Sequence, residues 1–304
     1  IGANSDTQAD DHFNTLIYDG NDDATRTFDV GFVSDFSWFK ARNADGIGHQ
    51  LYDSSRGVQK YLASNTTTGD SDNTEGVTSF NSSGLLAIGN SNFLNKSGRT
   101  HVLWNWKANG GTTSSNSDGN VTSTVQANTD AGFSIVTFPA DNLAGRTVGH
   151  GLGVAPKMII TKGRAQTTAW YIYNYHIGAG NYLVLNTTAV SASSAGLWGN
   201  THPTSTVFTI GNNDSGYNSG GANDALAYCF ADVEGYSKCG SYIGNGNADG
   251  TFVFTGFRPR YIMTKLASDQ INAANWQIYD TARHPSNVIP TYLFADSSGA
   301  ESDS

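Results

Sequence analysis

Charge is scarce in this chain. Asp, Glu, Lys and Arg make up 14% of its 304 residues, against about a quarter in an average soluble protein. The 17 Lys+Arg are outnumbered by 26 Asp+Glu, for a net charge of −9. No basic stripe interrupts this balance, so a nucleic-acid partner, which needs clustered cations to displace counterions, is not expected. Cysteine is nearly absent. Cys229 and Cys239 do not make a disulfide scaffold, and two readings stay open for them: small core residues, or a pair across a bend. No stretch approaches the roughly 18–20 consecutive apolar residues of a membrane-spanning helix, so no membrane insertion is expected. There is no initiating Met and no signal-peptide pattern, and Ile1 reads as a fragment or mature end. Catalytic signatures are missing as well: no G-x-S-x-G, no H-E-x-x-H and no Cys with a nearby His. The three glutamates are Glu75, Glu234 and Glu301, and no Asp spacing singles out a carboxylate pair for glycoside hydrolysis. The expectation is a protein that is not an enzyme.

Glycine and aromatic residues, by contrast, are plentiful. Gly numbers 35, hydrophobic residues make up 38% and aromatics 12%. That is enough to bury a core, and Gly and Asn supply the turn conformations that short strands need. The strongest internal signal is repetition. Residues Phe32 to Lys40, Val154 to Lys162 and Phe257 to Lys265 share a turn position, an apolar strand and a closing Lys. A second block follows: Leu51-Tyr52-Asp53, Ile172-Tyr173-Asn174 and Ile278-Tyr279-Asp280. The third block is Tyr61-Leu62-Ala63-Ser64-Asn65, Tyr182-Leu183-Val184-Leu185-Asn186 and Tyr292-Leu293-Phe294-Ala295-Asp296. A fourth occurs twice, as His101 to Trp106 and Ala225 to Phe230. Lead-in segments around Thr15–Asn21, Ser134–Phe138 and Ser241–Gly246 precede the copies. The third copy stops before its closing strands. Because a bare core face costs roughly 25 cal/mol per Å² of apolar area, more chain downstream or a covering partner is expected.

Period-two alternation dominates, as in Trp104 and Trp106 or Tyr228 and Phe230, while no long helical period occurs. At most one helical turn fits near Ser55–Leu62. Glycine-rich stretches at Gly149–Gly153 and Gly244–Gly246 read as hairpin turns rather than phosphate cradles, and Asp118-Gly119 and Gly211–Asp214 as further turns. Residues 109–120 read as a flexible linker. The expected fold class is all-β: tandem β-sandwich units of jelly-roll-like type, spanning residues 1–115, 116–232 and, incomplete, 233–304.

Three groups of polar residues compete as sites. Asp53-Ser54-Ser55-Arg56 and Asp280-Thr281-Ala282-Arg283 recur in place. They form either a polar pocket with a bidentate guanidinium, at Arg56 and Arg283, or an Asp-capped turn with local pairing. Recurrence favours the turn. The repeated Lys40, Lys162 and Lys265 read as snorkelling residues at a sheet margin. Aromatic residues beside amides suit sugar recognition, and this nominates Tyr173, Tyr175, His176 and, as the surface candidate, Trp198. Asp-rich turns at Asp19–Asp23 and Asp70–Asn73 offer calcium-type oxygens but lack the twelve-residue loop. No cofactor and no bound metal are expected, with calcium as the weak alternative.

The ordered blocks resemble a domain family of tailed bacteriophages, notably marine ones, found in tail-fibre and other virion surface proteins. The resemblance rests on Val30-Gly31-Phe32, Trp38-Phe39-Lys40, His49 through Gly57, Leu62 through Thr67, Thr78-Ser79-Phe80 with Ser83-Gly84, and Trp104 through Lys107. In the second copy it rests on Val148 through Ile159 and Tyr228 through Lys238. Ser34, where later copies have Pro, and Cys239, in place of an aromatic, depart from the pattern. What the resemblance implies is a virion structural protein with lectin-like units at the particle surface, without catalytic residues to carry over. Its partners would be other virion proteins, further copies of itself in a homo-oligomer, a trimer above all, and a host surface glycan. The rival readings are a purely structural decoration or shaft protein and a polysaccharide depolymerase.

Overall fold

The computed structural model describes residues 7–165, 167–211, 216–218, 225–268, 273–286 and 289–303. Runs of β-branched and aromatic residues cut by Gly, Asn and Ser favour short strands joined by turns, and the chain is all-β with several sheets. The first segment contributes β1 (Phe13–Asp19), β2 (Arg26–Asp29), β3 (Phe36–Ala41), β4 (Gln50–Asp53), β5 (Lys60–Tyr61), β6 (Ser71–Asp72), β7 (Val77–Phe80), β8 (Leu85–Ile88) and β9 (Thr100–Trp106). The second contributes β10 (Ser114–Asn116), β11 (Ser123–Asn128), β12 (Phe133–Phe138), β13 (Arg146–Gly149), β14 (Met158–Gly163), β15 (Tyr171–Asn174), β16 (Asn181–Val184), β17 (Ala192–Ser193), the short helix α1 (Ala195–Trp198), β18 (Val207–Ile210) and β19 (Ala225–Phe230). The third holds β20 (Tyr261–Thr264), β21 (Gln277–Asp280), β22 (Thr291–Phe294) and β23 (Ser302–Asp303).

The sheets repeat one another. The first segment has the strand order β1-β9-β3-β4, and the eight-stranded sheet of the second contains β12-β19-β14-β15, with the same lead-in, closing, lysine-ended and second-block strands in the same places. Register agrees too. Phe36 faces Trp106 and Asp53, Met158 faces Phe230 and Asn174, and Tyr261 faces Asp280. The order β20-β21-β22-β23 matches β14-β15-β16-β17, but among the described residues β20 ends its sheet. Small second sheets, β2-β8-β7 and β13-β18, complete the first and second segments.

Three apolar clusters follow from period-two alternation. One face of β1, β3, β4 and β9 packs Tyr18, Phe39, Tyr52 and Leu103 against Phe28, Val77, Leu86 and Ile88 of the small sheet. The second segment has its own cluster around Val136, Tyr173, Trp198 and Phe208. The opposite strand faces of all three segments meet in one shared core. Phe36, Trp38, Trp104 and Trp106 of the first segment lie there with Phe133, Ile160, Trp170 and Tyr228 of the second and Trp276, Ile278 and Leu293 of the third. Strand β3 is consequently buried along its whole length. Each fully buried side chain of this size stabilises by roughly 1.5–3 kcal/mol relative to exposure.

Several expectations are corrected. Residues 54–56 form a non-helical turn, and the helical turns fall instead at Ala9–Asp11, Tyr175–Ile177 and α1. Gly149–Gly153 is no hairpin, because β13 pairs with the distant β18. Gly244–Gly246 lies in a strandless stretch, residues 238–260. Of the turn expected at Gly211–Asp214, residues 212–214 lie outside the described residues. Within residues 109–120, Ser114–Asn116 pairs as β10. The stretch is held further by Asp35, whose carboxylate accepts the N–H groups of Ala108, Gly110 and Gly111 at 2.7, 2.8 and 2.6 Å. Cys229 and Cys239 are free thiols.

Candidate functional site

The repeated residues converge on the junctions between segments. The Trp170 indole N–H donates to the Ala63 carbonyl at 2.9 Å, and the Trp276 indole N–H to the Val184 carbonyl at 2.9 Å. His49 stands where the other copies carry Trp. Its Nδ1 accepts from the Trp38 indole at 2.7 Å, which leaves the proton on Nε2, 2.9 Å from the Phe294 carbonyl. Ala63, Val184 and Phe294 are the same position of the third block. The second segment therefore grips the first, the third grips the second, and the first grips the third.

Two further sets of contacts run around the same ring. The backbone N–H groups of Asp70, Ser191 and Glu301 donate to the carbonyls of Arg164, Ala267 and Arg42 at 2.6, 3.0 and 2.6 Å. The ammonium groups of Lys162, Lys265 and Lys40 donate to the carbonyls of Thr67, Thr188 and Ser298 at 3.1, 2.8 and 3.4 Å. The sheet-margin expectation for these lysines is overturned at two positions, since Lys40 and Lys162 are 1% and 0% exposed. Burial lowers both amines to about 8. Shifted amines often mark catalytic sites. Here each ammonium also donates within its own segment, Lys40 to the Ala41 carbonyl at 2.8 Å and Lys162 to the Gly163 carbonyl and the Thr168 hydroxyl at 2.9 and 3.1 Å.

Asp53 and Arg56 close a turn and do not line a pocket. The Asp53 carboxylate accepts the Arg56 N–H at 2.9 Å and its Nε at 2.6 Å, while Nη2 donates to the Leu51 carbonyl at 2.8 Å. Asp280 and Arg283 reproduce this with 2.9, 2.6 and 2.9 Å, the last to the Ile278 carbonyl. Both pairs have 0% side-chain exposure. Burial would pull the Arg56 guanidinium down, and the carboxylates of Asp53 and Asp70 outweigh it, raising it above its ordinary value. Asp70 and Glu301 each accept a second guanidinium from the neighbouring segment, Arg164 at 2.8 Å and Arg42 at 2.8 Å. Asp70, one of the calcium-type oxygens named from the sequence, thus sits in a double ion pair with Arg56 and Arg164. The closing strands add Tyr228 O–H to Asp53 at 2.7 Å and the Trp104 indole to Asp280 at 3.1 Å.

The aromatic sugar candidates do not form one face. Trp198 is 1% exposed and stacks on Tyr217 with centroids 5.5 Å apart. The surface position expected for it is therefore overturned, because the loop that carries it folds inward as α1. Tyr173 is buried and its hydroxyl meets His202 Nδ1 at 2.6 Å. Tyr175 and His176 are exposed, but the Tyr175 ring is covered by Lys157 Nζ at 3.8 Å and His176 Nε2 meets the Cys239 carbonyl at 3.2 Å. A cavity of about 320 Å³ lies elsewhere, at the junction of the first and third segments. Its wall includes Gln50, Tyr61, Asn65, Thr68, Ser71 and Phe93, and among the described residues no Asp, Glu, Lys or Arg lines it.

The chain belongs to the family DUF7483. That family is described as a domain of unknown function, and its model matches residues 8–304. No curated protein and no solved structure matches the chain. Since the match covers both complete segments and the third, the junction residues of this DUF7483 chain all fall within the family domain. Sequence reasoning missed His49, Arg42 and Arg164 as junction residues, and Asp35 as the anchor of the stretch after β9. A signal existed for the two arginines, which both stand two positions after the repeated Lys. His49 was hidden by the change from Trp.

Proposed function

We propose that this chain is a structural component of a bacteriophage particle, a tail fibre or other surface appendage, built from tandem β-sandwich units of lectin-like type with the third incomplete. The cyclic set of junctions carries the reading. Three copies of one strand pattern lock around one aromatic core through buried contacts, and the ionisable groups repeated between copies are consumed in holding that assembly. Such an arrangement suits a particle component that bears mechanical stress, and it leaves the buried acids and bases no reactant-facing role. The resemblance of the sequence blocks to phage surface domains supports the same setting outside the cell. The experiment is electron microscopy of particles labelled with antibody against the chain. Labelling of a fibre or capsid feature supports the reading, and antigen confined to the particle-free lysate sinks it.

Attachment to a host glycan is the second reading, and the neutral cavity favours it. Rings at Tyr61 and Phe93 beside amide and hydroxyl groups suit an uncharged sugar. A glycan array would show binding lost in Tyr61→Ala and kept in Trp198→Phe.

A further inference from the structure

The three copies differ beside the tyrosine that leads the third block. In the first copy, the antiparallel pairing of Leu51 with Leu62 sets Gln50 opposite Ala63. The equivalent pairs are Tyr171 with Val184 and Gln277 with Phe294. Each of these later pairs holds one ring, and that ring packs on the leading tyrosine. Tyr171 lies 5.6 Å from Tyr182, and Phe294 lies 5.0 Å from Tyr292. The first copy has no ring at either position. Tyr61 has the contact with Tyr52, at 6.0 Å, that Tyr292 has with Tyr279. In place of a second ring the cavity of about 320 Å³ opens, with Gln50, Tyr61 and Ala63 in its wall. Gly48 and His49, also in the wall, stand where the other copies carry Ala169 and Asn275, and Trp170 and Trp276. The fold therefore has a filled solution for this place and uses it twice. Close packing is the rule in protein interiors, and departures from such rules concentrate at functional sites.

A buried donor without a partner belongs to the same wall. Gln50 is 2% exposed. Its Oε1 accepts the Tyr52 O–H at 2.6 Å and an Asn73 Nδ2–H at 3.4 Å. Those donors fix the amide's orientation and leave its NH₂ as the free end, and among the described residues Nε2 has no hydrogen-bond partner. Leaving a buried donor unpaired is destabilising, and a ligand oxygen would satisfy it. Thr66 Oγ1 is unpartnered as well, but so is Thr187 Oγ1 at the same position of the second copy, so the Gln50 donor is what sets this cavity apart. The wall is also neutral. His49 engages both ring nitrogens in the junction, with Trp38 and Phe294.

We propose that this cavity binds a single neutral pyranose, with Tyr61 against the apolar C–H face of the sugar and the Gln50 NH₂ donating to one of its hydroxyls. This ligand class rests on the glycan reading above and narrows it. Acidic sugars are excluded, because among the described residues no Lys or Arg lines the cavity to pair a carboxylate. The test is saturation-transfer NMR of the 304-residue chain with the methyl glycosides of glucose, galactose and mannose and of their uronic acids. At least one neutral glycoside should bind saturably, at least tenfold tighter than the uronate of the same configuration. Gln50→Tyr and Ala63→Phe give the first copy the rings of the second and third. Each should weaken binding at least tenfold without lowering the melting temperature. Tyr61→Leu, which removes the platform without adding volume, should weaken binding likewise and serves if a filled variant misfolds. No binding of any neutral glycoside, equal binding of a uronate, or unchanged binding in the folded variants overturns the proposal. A silent glycan array beside saturable, variant-sensitive binding of a neutral glycoside would remove the attachment role and uphold the cavity's ligand. Array binding that survives both Gln50→Tyr and Ala63→Phe would keep attachment and sink the cavity as its site.

Discussion

At the residue scale, the fold depends on imidazoles held neutral. His101 is fully buried, stacked on Tyr18 at 5.0 Å, and among the described residues neither ring nitrogen has a hydrogen-bond partner. Burial first, and then Arg99 and Arg26, lower its pKa to about 4. The unfolded chain, with His near 6.5, takes up this proton first as the pH falls. The stabilisation is thus fully present above about 6.5 and is lost progressively towards 4, a change of roughly 3 kcal/mol at most. His49, at the first-to-third junction, adds a similar acid sensitivity, with its pKa lowered to about 3 by burial and by Lys40. We predict that His101→Phe, which keeps the stacked ring and removes the titrating group, is at least as stable as the wild type at pH 7. Its denaturation midpoint should fall less steeply between pH 6.5 and 4. Urea titrations at several pH values measure this, and parallel pH curves for the two proteins would refute the assignment.

At the scale of elements, the three junctions are alike in backbone and unlike in charge. The Arg164–Asp70 and Arg42–Glu301 pairs bridge two of them. At the third the same two positions are Ala267 and Ser191, joined by hydrogen bonds from Ser191 to the Ala267 carbonyl at 3.0 and 2.8 Å. Introducing Ala267→Arg and Ser191→Asp together should recreate the missing pair. Both sites are half-buried, so the expected coupling in a double-mutant cycle is about 0.5–1 kcal/mol. Additive single effects would show that the third junction has a different geometry. This asymmetry also explains what was legible beforehand. The block order, the lysine-ended strands and the Asp–Arg turns were readable because each recurs as side chains at fixed spacing. The ring of junctions was not, since its acceptors are main-chain carbonyls at Ala63, Val184 and Phe294, which leave no trace in residue identity. The inward turn of Trp198 was equally hidden. It depends on α1 and on a stacking partner, Tyr217, further along the chain, whereas the sequence offered only a Trp between Leu and Gly.

At the scale of the whole molecule, the ring makes separate folding of the segments costly. Lys40 reaches Ser298 across 258 residues, Arg42 pairs with Glu301, and Ser64 donates to the Ala295 carbonyl at 2.6 Å. Five of the six tryptophans, Trp38, Trp104, Trp106, Trp170 and Trp276, lie in the shared core, and only Trp198 lies in the second segment's own core. Chains of this length ordinarily unfold in steps, domain by domain. Here, opening one segment would strip apolar cover from the other two and break the pairs that cross segments, Arg164–Asp70 or Arg42–Glu301. The expected outcome is one cooperative transition. In a Trp198→Phe variant, where indole fluorescence reports the shared core alone, the fluorescence and far-ultraviolet circular dichroism midpoints in guanidinium chloride should coincide. Glu301→Gln should lower both midpoints together, since it weakens the first-to-third junction and uncouples Arg42 and Arg283 at once. A fluorescence midpoint well below the circular dichroism midpoint would mean that the shared core opens while the individual sheets persist, and the junctions would then be docking contacts between independently stable units.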